Sequence, residues 1–241
     1  LHLSVVGYPI WYSEILLGSE DVIENIPGKT NWENGDRVWF KTSDEIYALT
    51  YSNESWTCQG GDLPSEGTLI YAPAYEVGEN GTFTLKTNKM AGMEEFLSES
   101  TTLNGAANIT FDGSKRTYSR LRIAGKQGEY TVRFTGFTAA GPNGTETPES
   151  YILNIDESGS AYLYGSFGAG ATIEFEHISY TFTEATQAGK SYVLCVSHNV
   201  GEANCQSKAK CERCGAEYGE LGDHIMDENT DTCIICETEI H

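Results

Sequence analysis

Apolar and polar residues alternate with period two through most of this chain, which predicts antiparallel strands joined by polar turns. The clearest stretch is residues 31–76. Gly35-Asp36 is a turn pair, and in the strand that follows Val38 and Phe40 face one side while Arg37, Trp39 and Lys41 face the other. Ser43-Asp44 turns the chain into Glu45–Tyr51, Asn53-Glu54 turns it again into a short strand around Trp56, and Leu69–Tyr75 makes a fourth. Closely spaced strands of this kind form a meander, one half of a β-sandwich. Leu1–Tyr8 reads as an earlier strand, Pro9–Pro27 is ambiguous between strand and helical turn, and Thr82–Thr87 reads as a later strand.

The period changes at Asn88–Ser100, where Met90, Met93, Phe96 and Leu97 recur at helical spacing and predict a short helix with a packing face. Thr101–Ala107 is small and polar, and a domain boundary is expected at Gly105. Beyond it, strands are expected at Asn108–Asp112, with Asp112-Gly113 as its turn, and at Tyr118–Ile123. Further strands are expected at Gly128–Phe137, Tyr151–Ile155, Ala161–Phe167, Ala171–Ile178 and Tyr192–Val196. Asp156–Gly159 is a hairpin turn. In the strand at Tyr118, alternation places Leu121 and Ile123 inward and Arg120 and Arg122 outward. The expected divisions are 1–105, 106–197 and a tail at 198–241.

Composition narrows the function classes. The 241 residues include 35 acidic against 15 basic, a formal net charge of −20, which disfavours nucleic acid and anionic membrane surfaces as partners. No apolar run is long enough to span a membrane, and Leu1–Gly7 lacks the basic flank and length of an export signal. Gly 26 and Tyr 14 favour β structure.

A Trp, then Gly-Asp, an apolar strand, a Tyr-bearing strand, a lone Trp and the segment YAPAY resemble the N-terminal domain of bacterial fimbrillin-like surface proteins, the type V pilins and their relatives. ITFDGSKRTYSRLRI and YTFTEATQAGKSYVLCVS are similar to the opening hairpin and closing pair of their C-terminal domain. The resemblance covers roughly the first 195 residues. It implies two tandem transthyretin-like antiparallel β-sandwiches, hence an all-β fold, in an exported protein at the cell surface or outer membrane. In a bacterial protein the Asn-x-Ser/Thr triplets at Asn53, Asn80, Asn108 and Asn143 are chance matches.

After Ser197 the composition shifts. Of seven cysteines, Cys58 and Cys195 sit alone in strand-like segments and read as small buried hydrophobes, while Cys205, Cys211, Cys214, Cys233 and Cys236 crowd the tail. Cys211-x2-Cys214 and Cys233-x2-Cys236 are 18 residues apart, within the range of a four-cysteine zinc ribbon. Thiolates at this spacing on a tight turn grip one face of a tetrahedral ion, and Gly215 lets the backbone curl around the sulfur. The expectation is one structural zinc ion held by Cys211, Cys214, Cys233 and Cys236, with His198, Cys205 and His224 as further potential ligands. Disulfides are the alternative in an exported chain, although an odd number of cysteines does not favour a pure disulfide framework. The tail also resembles a short repeat appended to bacterial surface proteins, through His198, Ala203-Asn204-Cys205, Lys208–Cys214, Gly215, Tyr218-Gly219 and His224. Asp227-x-Asn229-x-Asp231 starts like a calcium loop, but Thr232 and Thr238 stand where glycine and glutamate belong.

No catalytic motif is legible. There is no nucleophile elbow, phosphate loop or dinucleotide fingerprint, and Gly165–Gly170 precedes a strand rather than a helix. His177 is expected to pack in a strand on the face of Ile173 and Phe175. No catalytic residue is therefore assigned, and a non-enzymatic adhesin, or a fimbrial tip or accessory subunit, is the expected function. Its partners would be other fimbrial subunits or host or bacterial surface ligands. A glycan- or peptide-binding module is the alternative, with Trp11, Trp32, Trp39 and Trp56 as candidate contacts and Trp32 and Trp56 expected in the core or at a domain edge. Pilins of the resembled type assemble by cutting at an Arg or Lys and exchanging strands. Here the first Arg is Arg37, inside the meander, and Lys29 is the only earlier basic residue, so a monomer that does not polymerise is expected.

Overall fold

A computed structural model describes residues 4–19, 21–59, 63–102, 108–111, 113–143, 148–199, 201–227, 230 and 232–238. The fold is all-β. The strands are β1 (Ser4–Val6), β2 (Ser13–Leu16), β3 (Val22–Glu24), β4 (Arg37–Lys41), β5 (Ile46–Ser52), β6 (Ser55–Gln59), β7 (Glu66–Tyr71), β8 (Tyr75–Val77), β9 (Phe83–Leu85) and β10 (Leu97–Thr102). They continue as β11 (Asn108–Thr110), β12 (Ser119–Ala124), β13 (Gly128–Ala139), β14 (Ser150–Ile155), β15 (Ser160–Glu174), β16 (Ser179–Thr181), β17 (Ser191–Cys195), β18 (Ala209–Lys210) and β19 (Glu217–Tyr218).

The predicted meander is an antiparallel five-stranded sheet of order β10-β7-β4-β5-β6. Val38 and Phe40 are fully buried on one face, with Leu49, Trp56, Leu69 and Leu97. The opposite face, through Ile70, Trp39 and Ile46, packs with Trp11, Tyr118, Ala140 and Tyr164, so a second apolar layer joins this sheet to the rest of the chain.

The larger sheet has the order β14-β13-β15-β12-β17-β2-β3, with β16 paired to β15. It is mixed: β17 runs parallel to both β12 and β2. It curls around one core containing Leu121, Ile123, Val132, Phe134, Phe137, Leu153, Leu163, Phe167 and Leu194. The register of β13 against β15 shifts between Thr135 and Phe137, a bulge that increases the local twist. The two strands expected at 161–167 and 171–178 are one strand, β15, which continues through its glycines. At Gly165 a Cβ would lie 2.4 Å from the Thr138 carbonyl oxygen and 2.5 Å from the Phe137 ring, so the strands close up here only around glycine.

Hydrogen bonds cross the 1–105/106–197 division. β2 pairs with β17, and β1 pairs in parallel with β11. Residue 105 lies outside the described residues, as do residues 1–3 of the first expected strand and Asp112 of the expected turn.

The structure corrects three local expectations. Residues 88–100 form turns and the start of β10, not a helix. Gly92 is the reason: its φ is +81°, a Cβ would meet Ala139 Cβ and the Tyr164 carbonyl at 2.9 Å, and its own carbonyl accepts the Tyr164 N–H at 2.6 Å. His177 is not packed in a strand. It sits in the turn after β15 with its side chain 84% exposed. Arg120 and Arg122 do not face solvent; both are buried against β2.

The partner that buries these arginines is Glu14, whose side chain is 0% exposed. Arg120 Nη2 donates to Glu14 Oε1 at 3.0 Å, Arg122 Nη2 lies 2.8 Å from Oε2, and Arg122 Nε is within 3.0 Å of both oxygens. Arg120 Nε also donates to Ser191 Oγ at 2.8 Å. A second buried pair joins Arg116 Nε to Glu95 Oε1 at 2.6 Å, and the same oxygen accepts Trp11 Nε1–H at 3.1 Å. Residues 9–16 are thus fastened to residues 116–122 by three arginines. Removing one partner of a buried pair costs roughly 3–5 kcal/mol, because it strands the other charge. Glu14→Ala leaves two guanidiniums uncompensated, and a loss of stability on that scale is expected in urea unfolding of the full chain. A loss below about 1 kcal/mol, the scale of an exposed pair, would show that Glu14 does not hold the sheet.

Candidate metal centres

The tail backbone converges its cysteines and histidines into two clusters. The first contains Cys195, His198, Cys211 and Cys214, and the second Cys205, His224, Cys233 and Cys236. In each, one ligand atom per residue lies within 4.8 Å of the other three. Cys211, Cys214, Cys233 and Cys236 were expected around one ion, and the structure does not bring them together. Each Cys-x2-Cys pair curls around its own centre and is completed by a histidine and a cysteine from elsewhere. The 18-residue spacing suits either arrangement, so spacing alone does not decide between them.

Cys195 is the residue that sequence reasoning missed. In the pattern of β17 it reads as another core position. The inward residues of that strand are Tyr192 and Leu194, while Val193 and Cys195 lie on the outer face with Leu16, Ala124, Cys211 and Cys214. Alternation was the available signal, because it places Cys195 opposite the core. Cys58 is half-buried against the core of the five-stranded sheet.

The first cluster is built into the large sheet. Arg122 Nη1 donates to the Arg213 carbonyl at 2.8 Å, so the guanidinium that binds Glu14 also holds the 211–214 turn. Arg213 Nη1 donates to the Ser197 carbonyl at 2.8 Å, and Ile23 of β3 packs under Gly215. The antiparallel pair β18–β19 closes the turn from outside. The Tyr218 hydroxyl lies 2.5 Å from His198 Nδ1 and 2.6 Å from Nε2, and the two rings pack edge to face. The second cluster is more exposed; only Cys233 is buried, and a bridge between Met226 and Cys233 positions it. Asn229 and Asp231 of the calcium-loop reading lie outside the described residues.

Four of the distances within the clusters lie near those of a tetrahedral ion. Bonds of about 2.3 Å to sulfur and 2.0–2.1 Å to nitrogen put ligand atoms roughly 3.8 Å (S to S) and 3.6 Å (S to N) apart. Cys195 and Cys211 sulfurs are 4.0 Å apart and Cys205 and Cys233 sulfurs 3.5 Å. Cys214 Sγ lies 3.6 Å from His198 Nδ1, and Cys236 Sγ 3.3 Å from His224 Nδ1. The electrostatics agree. The Cys195 thiol and the Ala216 N–H draw Cys214 down to about 5, while Cys195 is pushed up by that same contact. Burial opposes ionisation of Cys233, yet the Cys236 and Ile235 N–H groups, His224 and Cys205 bring it down to about 5. Burial and the neighbouring Cys233 push Cys205 up to about 12. Each cluster therefore crowds thiolate charge beside thiols that keep their protons, a state that a cation relieves by displacing those protons.

The expected aromatic contacts are not at the surface. Trp11 and Trp56 are buried, and Trp32 and Trp39 are half-buried in the core. Among the described residues no helix is long and apolar enough to cross a membrane.

Fold and site together define an all-β chain with two convergent Cys/His clusters. No protein family's sequence profile matches it, and no curated protein matches it. Solved structures overlap it loosely. A cell adhesion candidate from Bacteroides fragilis has a TM-score of 0.39 at 10% identity, over 91% of this chain and 99% of that one. The TIE protein of Bacillus anthracis has 0.24 at 12%, over 77% and 33%. A Ca2+-stabilised adhesin with which an Antarctic bacterium binds ice has 0.17 at 11%, over 73% and 44%.

With both clusters loaded, alkylation of the native chain is expected to modify Cys58 alone, and a chelator should expose the other six thiols. Mass spectrometry of alkylated protein reads this directly. Labelling of cluster cysteines at the rate of Cys58 before chelation would show that no ion protects them.

Proposed function

We propose that this chain is the body of an exported, non-enzymatic surface protein of adhesive type, in which zinc ions staple a C-terminal module to a β scaffold. The observation that carries the reading is the completeness of both clusters. Each offers four protein ligands, the pattern of a structural ion, whereas a catalytic zinc keeps a position open for water or substrate. The thiolate-rich donor set favours zinc over harder cations. The buried acids Glu14 and Glu95 are committed to arginines, which leaves them poorly suited to proton transfer.

The resemblance to fimbrillin-like proteins supports a division into sandwiches at 1–105 and 106–197, bridged by the pairing of β2 with β17 and of β1 with β11, with the tail as a third body, and a role as an adhesin or as a tip or accessory subunit. Lys29 supports the monomer. Its side chain is 25% exposed and pairs with Asp36 at 2.7 Å and Glu33 at 3.4 Å, a poor site for cleavage and strand exchange. A second reading, glycan or peptide binding on the same scaffold, is favoured by one feature. Tyr12 is 80% exposed beside a cleft of about 500 Å3 lined by Tyr8, Trp11, Ile15, Phe111 and Lys190.

Two measurements test these readings. Elemental analysis of the full chain is expected to find zinc; none, with the tail thiols oxidised, would replace the metal reading with disulfides. Light scattering after size-exclusion chromatography should give a monomer before and after limited trypsin digestion. Oligomer ladders after cleavage at Lys29 would restore the polymerising mechanism, and glycan-array binding lost in Tyr12→Ala would establish the binding module.

A further inference from the structure

The two clusters repeat one local fold, and each copy lacks one ligand. The N–H of the first knuckle cysteine donates to the carbonyl five residues on, Cys211 to Ala216 at 2.8 Å and Cys233 to Thr238 at 3.0 Å. The residue after the second cysteine donates back to the first, Gly215 to Cys211 at 2.8 Å and Glu237 to Cys233 at 2.9 Å, with φ of 77° and 58°. The residue after the first cysteine donates to the residue after the histidine, Glu212 to Asn199 at 3.1 Å and Ile234 to Ile225 at 2.9 Å. Each unit therefore supplies a histidine and two cysteines. The fourth ligand comes from the body that precedes it. Cys195 is the last residue of β17, and Cys205 lies between His198 and Cys211, inside the loop that the first cluster closes.

We infer that each ion is a joint between successive bodies, and that the joints form in order, from the sheet outward: the first site is the tighter on its own and fills first, and the second binds tightly only once the first is filled. This rests on the metal reading above. The first ion ties the first unit to β17, where Arg122 and Ile23 support it independently. The second ion ties the second unit to Cys205, on a loop whose two ends are ligands of the first ion. That loop is shaped by Gly201 N–H to the Lys210 carbonyl at 3.1 Å, and its Asn204 carbonyl accepts the Gly222 N–H at 2.9 Å, at the entry to the second unit. Emptying the first cluster frees Cys205. Emptying the second leaves every ligand of the first in place.

The test uses the full chain, with zinc affinity measured by competition against a chromogenic chelator. Wild type is expected to hold two ions. Cys233→Ser with Cys236→Ser should keep one ion at the affinity of the first, tighter ion of wild type. Cys211→Ser with Cys214→Ser should weaken the remaining ion by about tenfold or more, the scale on which lost ligand support acts. Because that variant disturbs the face of the sheet, His198→Gln provides a milder form, weakening both ions, while the mirror variant His224→Gln weakens one. Equal, unaffected binding at the second cluster in both first-cluster variants would overturn the ordered assembly. A wild type that binds no zinc overturns the metal reading itself, an outcome distinct from two independent ions.

Discussion

The structure depends on the carboxylate of Glu14 held between Arg120 and Arg122. This contact places β2 beside β17, a pairing across more than a hundred residues of chain that no turn enforces. Its cost is the desolvation of three charges, which is offset only because each charged group is met: Glu14 accepts from both guanidiniums, Arg120 also donates to Ser191, and Arg122 also donates to the Arg213 carbonyl. From this point one chain of contacts runs to β3, whose Ile23 supports Gly215, and another to the turn that carries Cys211 and Cys214. The buried ion pair and the first cluster are therefore parts of one assembly.

The tail has few apolar residues to bury, and its order has to come from elsewhere. Two sources are visible. Repeated backbone bonds shape each knuckle, and convergent thiols and imidazoles give each knuckle a centre. The first unit adds a third source, an apolar contact with Leu16, Ala124 and Val193. The second unit has no share in that cluster, and its Leu221, Ile225 and Ile234 remain exposed.

Much of this was legible in the sequence. Period two located β4, β5, β13 and β14 because each has a face on a core, and the pattern records that face directly. It failed where both faces are covered. Arg120 and Arg122 alternate with Leu121 and Ile123 as surface residues do, and only the distant Glu14 reveals that they are buried. Helical spacing at 88–100 failed because the pattern of Met90, Met93 and Phe96 does not register the backbone demand at Gly92. In the tail, the residue types of the clusters were legible but their grouping was not. Cys-x2-Cys spacing describes a knuckle; which knuckle shares an ion with which histidine is set by long-range topology. Cys195 was misread for the same reason as the arginines, because it lies on the outer face of its strand and is covered there by residues distant in sequence.

The contact between the first unit and the outer face of the sheet has a consequence for the fate of newly made chains. Leu16, Ile23, Ala124 and Val193 are shielded by the first unit, which has little core of its own and brings four candidate metal ligands together. Were that unit to lift away, breaking its bonds through Arg122 and Arg213, an apolar strip of strand would face water. Such strips attract other chains and proteases. If the unit holds the zinc ion proposed above, metal supply would act as a filter on this protein, with loaded copies remaining dispersed and intact and starved copies more open to capture and cleavage.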